Sequence, residues 1–208
     1  DFESAREYFR QGIEKFKDSD LRQDFYISLS NAYFTQYKFP DAREVCEAYL
    51  GEYGTGAKYR EEALFQIACS YFYSDKALDS ISYFSDYIKE YPQGNYVDDA
   101  KYRIIVLDFA QQEFDKVVEA GTKWMQDYPH STLMADMSNI MGDTYMAQGE
   151  VAQAVEAYRK AISTSTHIDT TAYALDKATR AYQQLGKFDE VEKMHENYIK
   201  FNPASPLV

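Results

Sequence analysis

Three histidines and two cysteines are the side chains of this 208-residue sequence best suited to metal binding or nucleophilic chemistry. His130 and His167 are 37 residues apart (130 to 167), a spacing that predicts two exposed loop histidines too distant to share a metal ion. His195 falls inside a helical pattern, where we expect a half-buried, hydrogen-bonded imidazole. Cys46 and Cys69 lie in apolar helical surroundings and are predicted to be buried free thiols.

Two pairs of adjacent carboxylates, Glu61–Glu62 and Asp98–Asp99, are further candidates for metal binding or acid–base chemistry. Both pairs open predicted helices, where exposed N–H groups favour negative charge, and a calcium or other metal site is the alternative. The sequence has no glycine-rich phosphate loop, no HExxH pair and no Ser or Cys in an elbow motif. It therefore predicts no catalytic residue, no metal site, no cofactor and no enzyme activity.

The composition excludes several classes of partner. The formal net charge is −12, so nucleic acid and anionic lipid surfaces, which need clustered Lys and Arg, are disfavoured. The longest purely apolar stretch, 104–107, is far shorter than the ~20 residues of a transmembrane helix. The sequence begins with Asp1 and without a leader pattern, so we expect a processed chain or a segment of a longer protein.

An internal repeat positions these side chains. Gly54, Pro92, Pro129, Thr166 and Pro203 occupy matching points, at intervals of 38 residues (54 to 92) and then 37 residues (92 to 129, 129 to 166 and 166 to 203). A period of this length is typical of helical repeat proteins. One such unit cannot bury its own apolar face, so we predict that stability comes from the stacking of neighbouring units.

Each unit reads as two amphipathic helices joined by a short break. Gly149 and Gly186 suit a left-handed cap after the first helix of a unit, and Pro40 suits the first turn of a second helix. Prolines at three unit ends should stop the second helix, because the residue before proline is pushed out of helical geometry. The predicted helices span 2–17, 21–37, 41–53, 58–74, 77–91, 95–111, 114–128, 132–148, 151–164, 169–185 and 188–201.

The unit at 132–164 resembles the tetratricopeptide repeat (TPR) family. The family pattern L-G-x₂-Y…A-x₃-F, followed by a small residue, is matched by Met141, Gly142, Tyr145, Ala154, Tyr158 and Ala161. The run GDTYMAQGEVAQAVEAYRKAI is close to the family consensus. The unit at 95–129 matches least well. There, Ile105 stands where the small residue belongs, Asp108 replaces the first aromatic residue and Gly121 replaces the second.

The resemblance implies an all-α fold, a right-handed α-α superhelix (TPR solenoid) of about five and a half helix-turn-helix repeats. It places the whole sequence, 1–208, in a single array that we expect to belong to a longer protein. Under this interpretation the half repeat spans 1–17 and the full repeats span about 21–54, 58–92, 95–129, 132–166 and 169–203.

The links between units are similar to those of bacterial cell-envelope TPR proteins, namely the assembly lipoprotein BamD and the Tol–Pal coordinator YbgF. In those families a YP-x-[GS]-x-[YF]-x-[DE]-[DE]-A run joins one repeat to the next. That run is matched here by Tyr91, Pro92, Gly94, Tyr96, Asp98, Asp99 and Ala100. The similarity implies a periplasmic or outer-membrane-associated location, and a cytoplasmic location is the alternative. The lipidated cysteine of the lipoprotein does not occur in this sequence, so the similarity does not extend to a membrane anchor.

In TPR proteins the first helix of each repeat lines a concave groove, and the resemblance therefore implies a set of partner-facing positions. Chaperone-binding members use a Lys, Asn and Arg clamp for a carboxylate, of which only Asn31 is present here. We hypothesise instead that the groove takes an apolar helix or extended segment. The predicted partner-binding residues are Asn31, Phe34, Phe65, Phe72, Tyr73, Tyr102, Phe109, Asn139, Asp143 and Arg180.

Two alternatives stay open. Aromatic residues at helical spacing usually belong to the core, and ordinary core packing would leave no groove. The chain as a whole is then either a scaffold for a partner protein or a spacer or regulatory segment of a larger protein. The first predicted helix has no partner helix before it, so its stripe of Phe2, Ala5, Tyr8, Phe9 and Ile13 also predicts a homodimer.

Overall fold

The computed structural model describes residues 2–203, and every predicted helix is present in it. The bounds differ from the predicted ones by at most three residues at either end, and the part of the chain described contains no strand. The all-α class is therefore confirmed. The helices are α1 Phe2–Lys15, α2 Leu21–Phe34, α3 Phe39–Tyr53, α4 Arg60–Phe72, α5 Ala77–Glu90, α6 Val97–Ala110, α7 Phe114–Asp127, α8 Met134–Ala147, α9 Val151–Thr164, α10 Ile168–Gln184 and α11 Phe188–Phe201, with one short 3-10 helix at Gly54–Gly56.

The chain divides into two compact units. Unit 1 ends at Ile104 and contains α1 to α5 with the first half of α6, and unit 2 begins at Ile105 and contains the remaining helices. The prediction that 1–208 forms a single array stays a prediction. Within residues 2–203, no helix combines the length and the apolar character needed to cross a membrane.

Equivalent left-handed turns end the first helix of every repeat. The left-handed residues are Tyr37 (φ 59°), Asp75 (55°), Gln112 (60°), Gly149 (79°) and Gly186 (69°). In each turn the N–H of the next residue donates to the carbonyl four positions before the left-handed residue, at 2.8–3.2 Å. The predicted caps at the two glycines are confirmed, and the same turn forms at three positions that carry a side chain.

The proline-marked helix ends are also confirmed. The residues before the three prolines at unit ends leave helical geometry in nearly the same way. Their φ and ψ are −124° and 69° at Tyr91, −126° and 56° at Tyr128, and −132° and 54° at Asn202. Pro40 lies in the first turn of α3, where its missing N–H has no intrahelical partner to lose.

Small residues permit the close approach of paired helices. A Cβ atom at Gly142 would lie 2.4 Å from the Tyr158 ring, so α8 and α9 can pack at this distance only with glycine there. Ala68 is fully buried at the equivalent point of unit 1. In the least regular repeat, the aromatic position is Gly121, and the sulfur of Met141 occupies the space beside it.

The core of each unit is built from the same repeat positions. In unit 1, Cys46 and Tyr49 of α3 are fully buried and pack in one cluster with Ile27 and Ile67. In unit 2, Tyr158 of α9 is fully buried, packed with residues of α10. These contacts between neighbouring repeats fit the expectation that stacking stabilises the fold.

Helix α1 covers more of its apolar stripe than the sequence suggested. Phe9 and Ile13 pack against the buried cluster of α2 and α3, so this part of the predicted open stripe is wrong. Phe2 and Tyr8 stay exposed, at 60% and 64%. The difference arises because α2 lies against α1 on the face that carries Gly12.

Candidate partner-binding site

A pocket of about 240 Å³ opens among the first helices of unit 1. It is lined from α2, α4 and α6 and from the loop before α6. Four of the predicted partner-binding residues meet there, and five lining residues were not predicted as site residues. The predicted ones are Asn31, Phe34, Phe65 and Tyr73, and the others are Glu62, Gln66, Cys69, Tyr96 and Arg103.

The inner wall of the pocket is a stack of aromatic rings. Phe65 lies parallel to Tyr96, with ring centroids 4.5 Å apart and planes inclined by 10°. Its other neighbours are Phe84 at 5.9 Å and Tyr87 at 5.7 Å, both buried. Phe65 therefore belongs partly to the core and partly to the pocket wall, so both interpretations of the aromatic spacing apply to it.

The outer wall is formed by Tyr73, which is 46% exposed. Its ring stacks on Phe39 at 4.9 Å and meets the edge of Phe34 at 5.7 Å. These contacts fix the orientation of the ring, and much of the residue stays in contact with solvent. Tyr73 is thus an ordered aromatic surface available for contact.

Arg103 closes one end of the pocket. Its guanidinium carbon lies 5.1 Å from the centroid of Phe72 and 5.3 Å from that of Tyr73, within cation–π range. The same group donates to the Tyr73 hydroxyl at 3.0 Å and to Asp99 at 2.5 Å. The predicted site residue Phe72 is therefore covered by a side chain of the protein itself.

The polar rim of the pocket is a chain of hydrogen bonds that starts in the core. The buried Ser30 hydroxyl donates to Gln66 Oε1, and Gln66 Nε2 donates to Asn31 Oδ1 at 2.5 Å. Asn31 Nδ2 in turn donates to Glu62 Oε1 at 3.3 Å. Glu62 forms no ion pair with any residue of 2–203. Its carboxylate is held in place by an amide and has no cationic partner within the described chain.

Both cysteines are free and buried, as predicted. Burial raises the pKa of the Cys46 thiol and of the Cys69 thiol to about 12. Cys46 Sγ also donates to Gln66 Oε1 at 3.0 Å, within the chain of hydrogen bonds described above. Protonated and buried thiols are poor nucleophiles, so Cys69 serves as pocket lining and not as a reactive group.

The two inward polar positions predicted in unit 2 differ: neighbouring side chains compensate Asp143, whereas the buried Asn139 Oδ1 has no hydrogen-bond partner within residues 2–203. Asp143 accepts hydrogen bonds from Tyr158 at 2.8 Å and from Tyr173, and pairs with Lys177 at 3.2 Å. Burial, and then the hydrogen bond to Asp143, raise the pKa of the Tyr158 hydroxyl. Asn139 is only 7% exposed and donates to a backbone carbonyl of α10 at 3.3 Å. Asn139 therefore lies between helices, and Asp143 is only partly exposed.

The remaining predicted residues are not brought into the pocket. Tyr102 is half-buried on α6, and Phe109 packs against Phe114 at 6.0 Å. Arg180 is exposed and pairs with Asp176 one turn away, at 3.0 Å. Whether any of them contacts a partner stays a prediction.

The candidates for metal chemistry lie apart. His130 and His167 are exposed at the ends of links, as predicted. His195 forms a hydrogen bond with Thr179 at 3.0 Å, but it is exposed and not half-buried, because the described chain places no further helix over α11. Within residues 2–203 no group of three or more His, Cys, Asp or Glu side chains could hold a metal ion.

A comparison of equivalent positions across the repeats identifies one of the missed pocket residues, which residue type alone does not. Glu62 falls 38 positions after Asp24 and 37 before Asp99, so the three carboxylates occupy one repeat position on first helices. Arg103 was missed because a cation on a helix normally reads as a solvated residue, and its cover of two rings is a tertiary contact.

Three family models described as tetratricopeptide repeat match the chain, at residues 1–57, 62–94 and 135–166. A search of curated proteins found no match. The sequence matches therefore fall in both units and identify repeats, without assigning a particular activity.

Solved structures with the same fold share little sequence with the chain. BtubC (BKLC) from P. vanneervenii has a TM-score of 0.76 at 12% identity, over 98% of this chain and 91% of that one. A MamA protein has a TM-score of 0.62 at 20% identity, over 87% and 92%. TPR-like repeats of a putative kinesin light chain from Podospora anserina have a TM-score of 0.61 at 14% identity, over 87% and 94%.

These structures do not support the nearer similarity to BamD and YbgF that the link motif suggested. At such low identity they support the fold alone. Helix pairs recur in both units, and the three family matches together span more than half of the sequence. The chain therefore belongs to the tetratricopeptide repeat family.

Proposed function

We propose that the chain is a non-enzymatic scaffold that holds a partner protein or peptide against the first helices of unit 1. The observation that carries this proposal is the pocket where Asn31, Phe34, Phe65 and Tyr73 meet. It combines partly exposed aromatic rings with oriented amide and carboxylate groups. Partly apolar clefts with a few convergent polar groups are the usual setting for recognition.

Selection of binding peptides tests the proposal. A displayed library of random dodecapeptides is selected against the immobilised chain, and the selected peptides are titrated against a Tyr73→Ala variant. We expect binding to weaken about tenfold, because the variant removes the exposed ring that forms the outer wall. The proposal fails if no sequence is enriched, or if the selected peptides bind this variant as well as the unmodified chain.

A matched control separates the pocket from general surface aromaticity. Tyr37 is also a unit 1 tyrosine and is 81% exposed, but it does not line the pocket. Tyr37→Asn removes the ring and introduces a residue type that tolerates the left-handed backbone at this turn. Its affinity for the selected peptides should equal that of the unmodified chain.

A structural spacer is the second candidate function. It is favoured because side chains of the protein itself already cover part of the pocket wall. Phe65 stacks on Tyr96, and Arg103 covers Phe72. A spacer would bind no peptide in the same selection. The two functions therefore give opposite results in one experiment.

A location in the bacterial cell envelope is a separate proposal, supported by the link motif at Tyr91, Pro92 and Gly94. Under this proposal the scaffold takes part in envelope assembly or maintenance. Fractionation of cells that express the full-length gene product tests it. Recovery in the periplasmic or outer-membrane fraction would support the location, and recovery in the cytoplasm alone would exclude it.

Self-association through α1 is also proposed, on a smaller surface than the sequence suggested. The exposed Phe2 and Tyr8 are the part of the stripe that a second copy could cover. Light scattering should show a mass that rises with concentration and falls back to the monomer in a Tyr8→Ser variant. A monomer at all concentrations would contradict this proposal.

A further inference from the structure

One repeat position on the first helices of unit 1 is occupied by a carboxylate three times. Asp24 lies on α2, Glu62 on α4 and Asp99 on α6, at intervals of 38 (24 to 62) and 37 residues (62 to 99). A carboxylate in a half-buried position is stable when a cation or several hydrogen-bond donors compensate it. The three sites can therefore be compared by what compensates each one.

The first site contains its own cation. Lys58 Nζ lies 2.9 Å from Asp24 Oδ1 and 4.7 Å from the centroid of the Tyr59 ring. The Tyr59 hydroxyl also donates to Asp24. These two hydrogen bonds, from Tyr59 first and then from Lys58, lower the pKa of the Asp24 carboxyl. The arrangement is an ammonium group held between a carboxylate and an aromatic ring.

The third site also pairs its carboxylate with a cation, a guanidinium group that comes from the same helix and not from the following link. Arg103 Nε lies 2.5 Å from Asp99 Oδ1, and the same side chain covers the rings of Phe72 and Tyr73. The chain thus places a cation between a carboxylate and aromatic rings twice, with two different cations. Both cases use the same position on a first helix.

The middle site has the carboxylate and an aromatic ring but no ion pair, because Arg103, which lines the same pocket, pairs with Asp99 and not with Glu62. Asn95 stands where Lys58 stands in the preceding repeat (58 to 95), and Tyr96 stands where Tyr59 does. The Asn95 amide donates to Glu61 Oε2 at 3.1 Å and not to Glu62. Within residues 2–203, Glu62 accepts one hydrogen bond, from Asn31 at 3.3 Å.

The aromatic surroundings of Glu62 are present as well. Phe65, Tyr73 and Tyr96 line the same pocket as Glu62. Burial first, and then the carboxylates of Glu62 and Glu61, raise the pKa of the Tyr96 hydroxyl, which agrees with their proximity. The pocket also opens to solvent, so a side chain from outside can reach the position that Lys58 fills in the neighbouring repeat.

We infer that this pocket binds a Lys or Arg side chain of the partner, between the Glu62 carboxylate and the ring of Tyr96, since Arg103 already covers the ring of Tyr73. The inference rests on the proposed partner-binding role of unit 1 and names the chemistry of the partner. A charge-assisted hydrogen bond and a cation–π contact would act together on the incoming group. The net charge of −12 favours the approach of a basic segment.

A small probe tests the inference directly. N-acetyl-lysine methylamide is titrated into the intact chain, and the side-chain amide signals of Asn31 and Gln66 are followed by NMR. N-acetyl-norleucine methylamide, which has the same alkyl stem without the ammonium group, is the control probe. We expect shifts that saturate with the lysine probe and binding at least about tenfold weaker with the norleucine probe.

Two variants make the test specific to Glu62. Glu62→Gln keeps the shape and removes the charge, so lysine binding should weaken about tenfold. Asp136→Asn is the matched control, because Asp136 occupies the same repeat position in unit 2 and accepts from Thr170 at 3.1 Å. This control should leave lysine binding unchanged.

In a third variant, the chain itself supplies a cation to Glu62. Asn95→Lys restores the residue that the preceding repeat has at this point, and its ammonium group should pair with Glu62. We expect this variant to be folded, slightly more stable and unable to bind the lysine probe. Equal binding of both probes, or undiminished lysine binding by Glu62→Gln or Asn95→Lys, would overturn the inference.

The outcome is separable from that of the proposed function. If selected peptides bind unit 1 but replacing their Lys and Arg residues by norleucine changes nothing, the inference is wrong and the scaffold function stands. If the lysine probe binds at Glu62 but no peptide is selected, the inference stands and the scaffold function fails.

Discussion

The first helices of the two units both carry carboxylates, at different repeat positions, and compensate them differently. In unit 2, Asp143 receives two tyrosine hydroxyls and the ammonium group of Lys177. In unit 1, Glu62 receives one amide and lies beside a pocket. The same repeat framework thus yields one carboxylate that neighbouring groups compensate and one that is left available. Regular packing builds the fold, and binding capacity arises where the chain leaves a repeat position incomplete.

The largest expected effect comes from removing Asp143, the compensated acceptor of unit 2. Asp143→Ala leaves the fully buried Tyr158 hydroxyl without its partner, so we expect unit 2 to lose about 3 kcal/mol of unfolding free energy. Glu62→Ala in unit 1 should cost less than about 1 kcal/mol, because its single partner, Asn31, is exposed. Urea unfolding is followed for unit 2 by the fluorescence of Trp124, the only tryptophan.

A second substitution provides the control for Asp143. Adding Tyr158→Phe to Asp143→Ala removes the orphaned hydroxyl and should recover part of the lost stability. Equal losses for Asp143→Ala and Glu62→Ala would show that the two surfaces do not differ in the way described.

Glycine substitutions sharpen the comparison within unit 2. Gly142→Ala drives a Cβ atom to 2.4 Å from the rigid Tyr158 ring and should cost about 2 kcal/mol. Gly121→Ala meets the sulfur of the flexible Met141 side chain, at 2.5 Å, and gains helix propensity, so its net effect should lie within about 1 kcal/mol of zero. Thermal unfolding of both variants measures this contrast. A larger loss for Gly121→Ala would contradict the packing described for these helices.

The stability of the two units should depend differently on alkaline pH, because both cysteines lie in unit 1. Burial raises the pKa of Cys46 and Cys69 from 9.0 to about 12, so the folded state binds protons that the unfolded state releases. The stability that the thiols confer is complete below pH 9 and declines between pH 9 and 12, by about 1 kcal/mol per thiol at pH 10.

Serine substitution supplies the control for this pH dependence. A Cys46→Ser, Cys69→Ser variant should lose less stability between pH 8 and 10 than the unmodified chain. Unit 2 contains no cysteine, and its loss should begin only where its tyrosines titrate. Rates of thiol labelling by a disulfide reagent report the opening of unit 1. Rapid labelling of both thiols in the folded chain at pH 8 would contradict their burial.

The smallest effects are expected at the left-handed turns. Gln112→Gly should stabilise unit 2 by up to about 1 kcal/mol, because the side chain at φ 60° is strained. Asp75→Gly in unit 1 should gain about half as much, since Asp tolerates this conformation better. Gly149→Ala, with φ 79°, is the opposite control and should destabilise. Thermal midpoints that fall for Gln112→Gly would contradict the turn geometry.

The helices and their ends could be predicted because each signal is local. Proline and glycine restrict or release the backbone where they stand, as at Pro40 and Gly149. The equivalent turns at Tyr37 and Gln112 carry no such signal, and only the repeat register could have placed them.

The site was less predictable because it depends on contacts between helices. Phe72 and Tyr73 were assigned to a groove from their spacing, but the cover that Arg103 provides over Phe72 is a tertiary contact. Asn139 was assigned to the same groove, and the close approach of α8 and α10 buries it instead. Glu62 can be recognised only by comparison with Asp24 and Asp99, which occupy the same repeat position and each pair with a cation.

Hydrogen–deuterium exchange of the intact chain with a library-selected peptide tests the central claim most directly. We predict slower exchange in α2 and α4 of unit 1, and no change in α8 and α10 of unit 2. The Glu62→Gln variant should lose this protection, and the Asp136→Asn variant should retain it. Protection confined to unit 2, or equal in both units, would contradict the claim that the incomplete position in unit 1 is the binding surface.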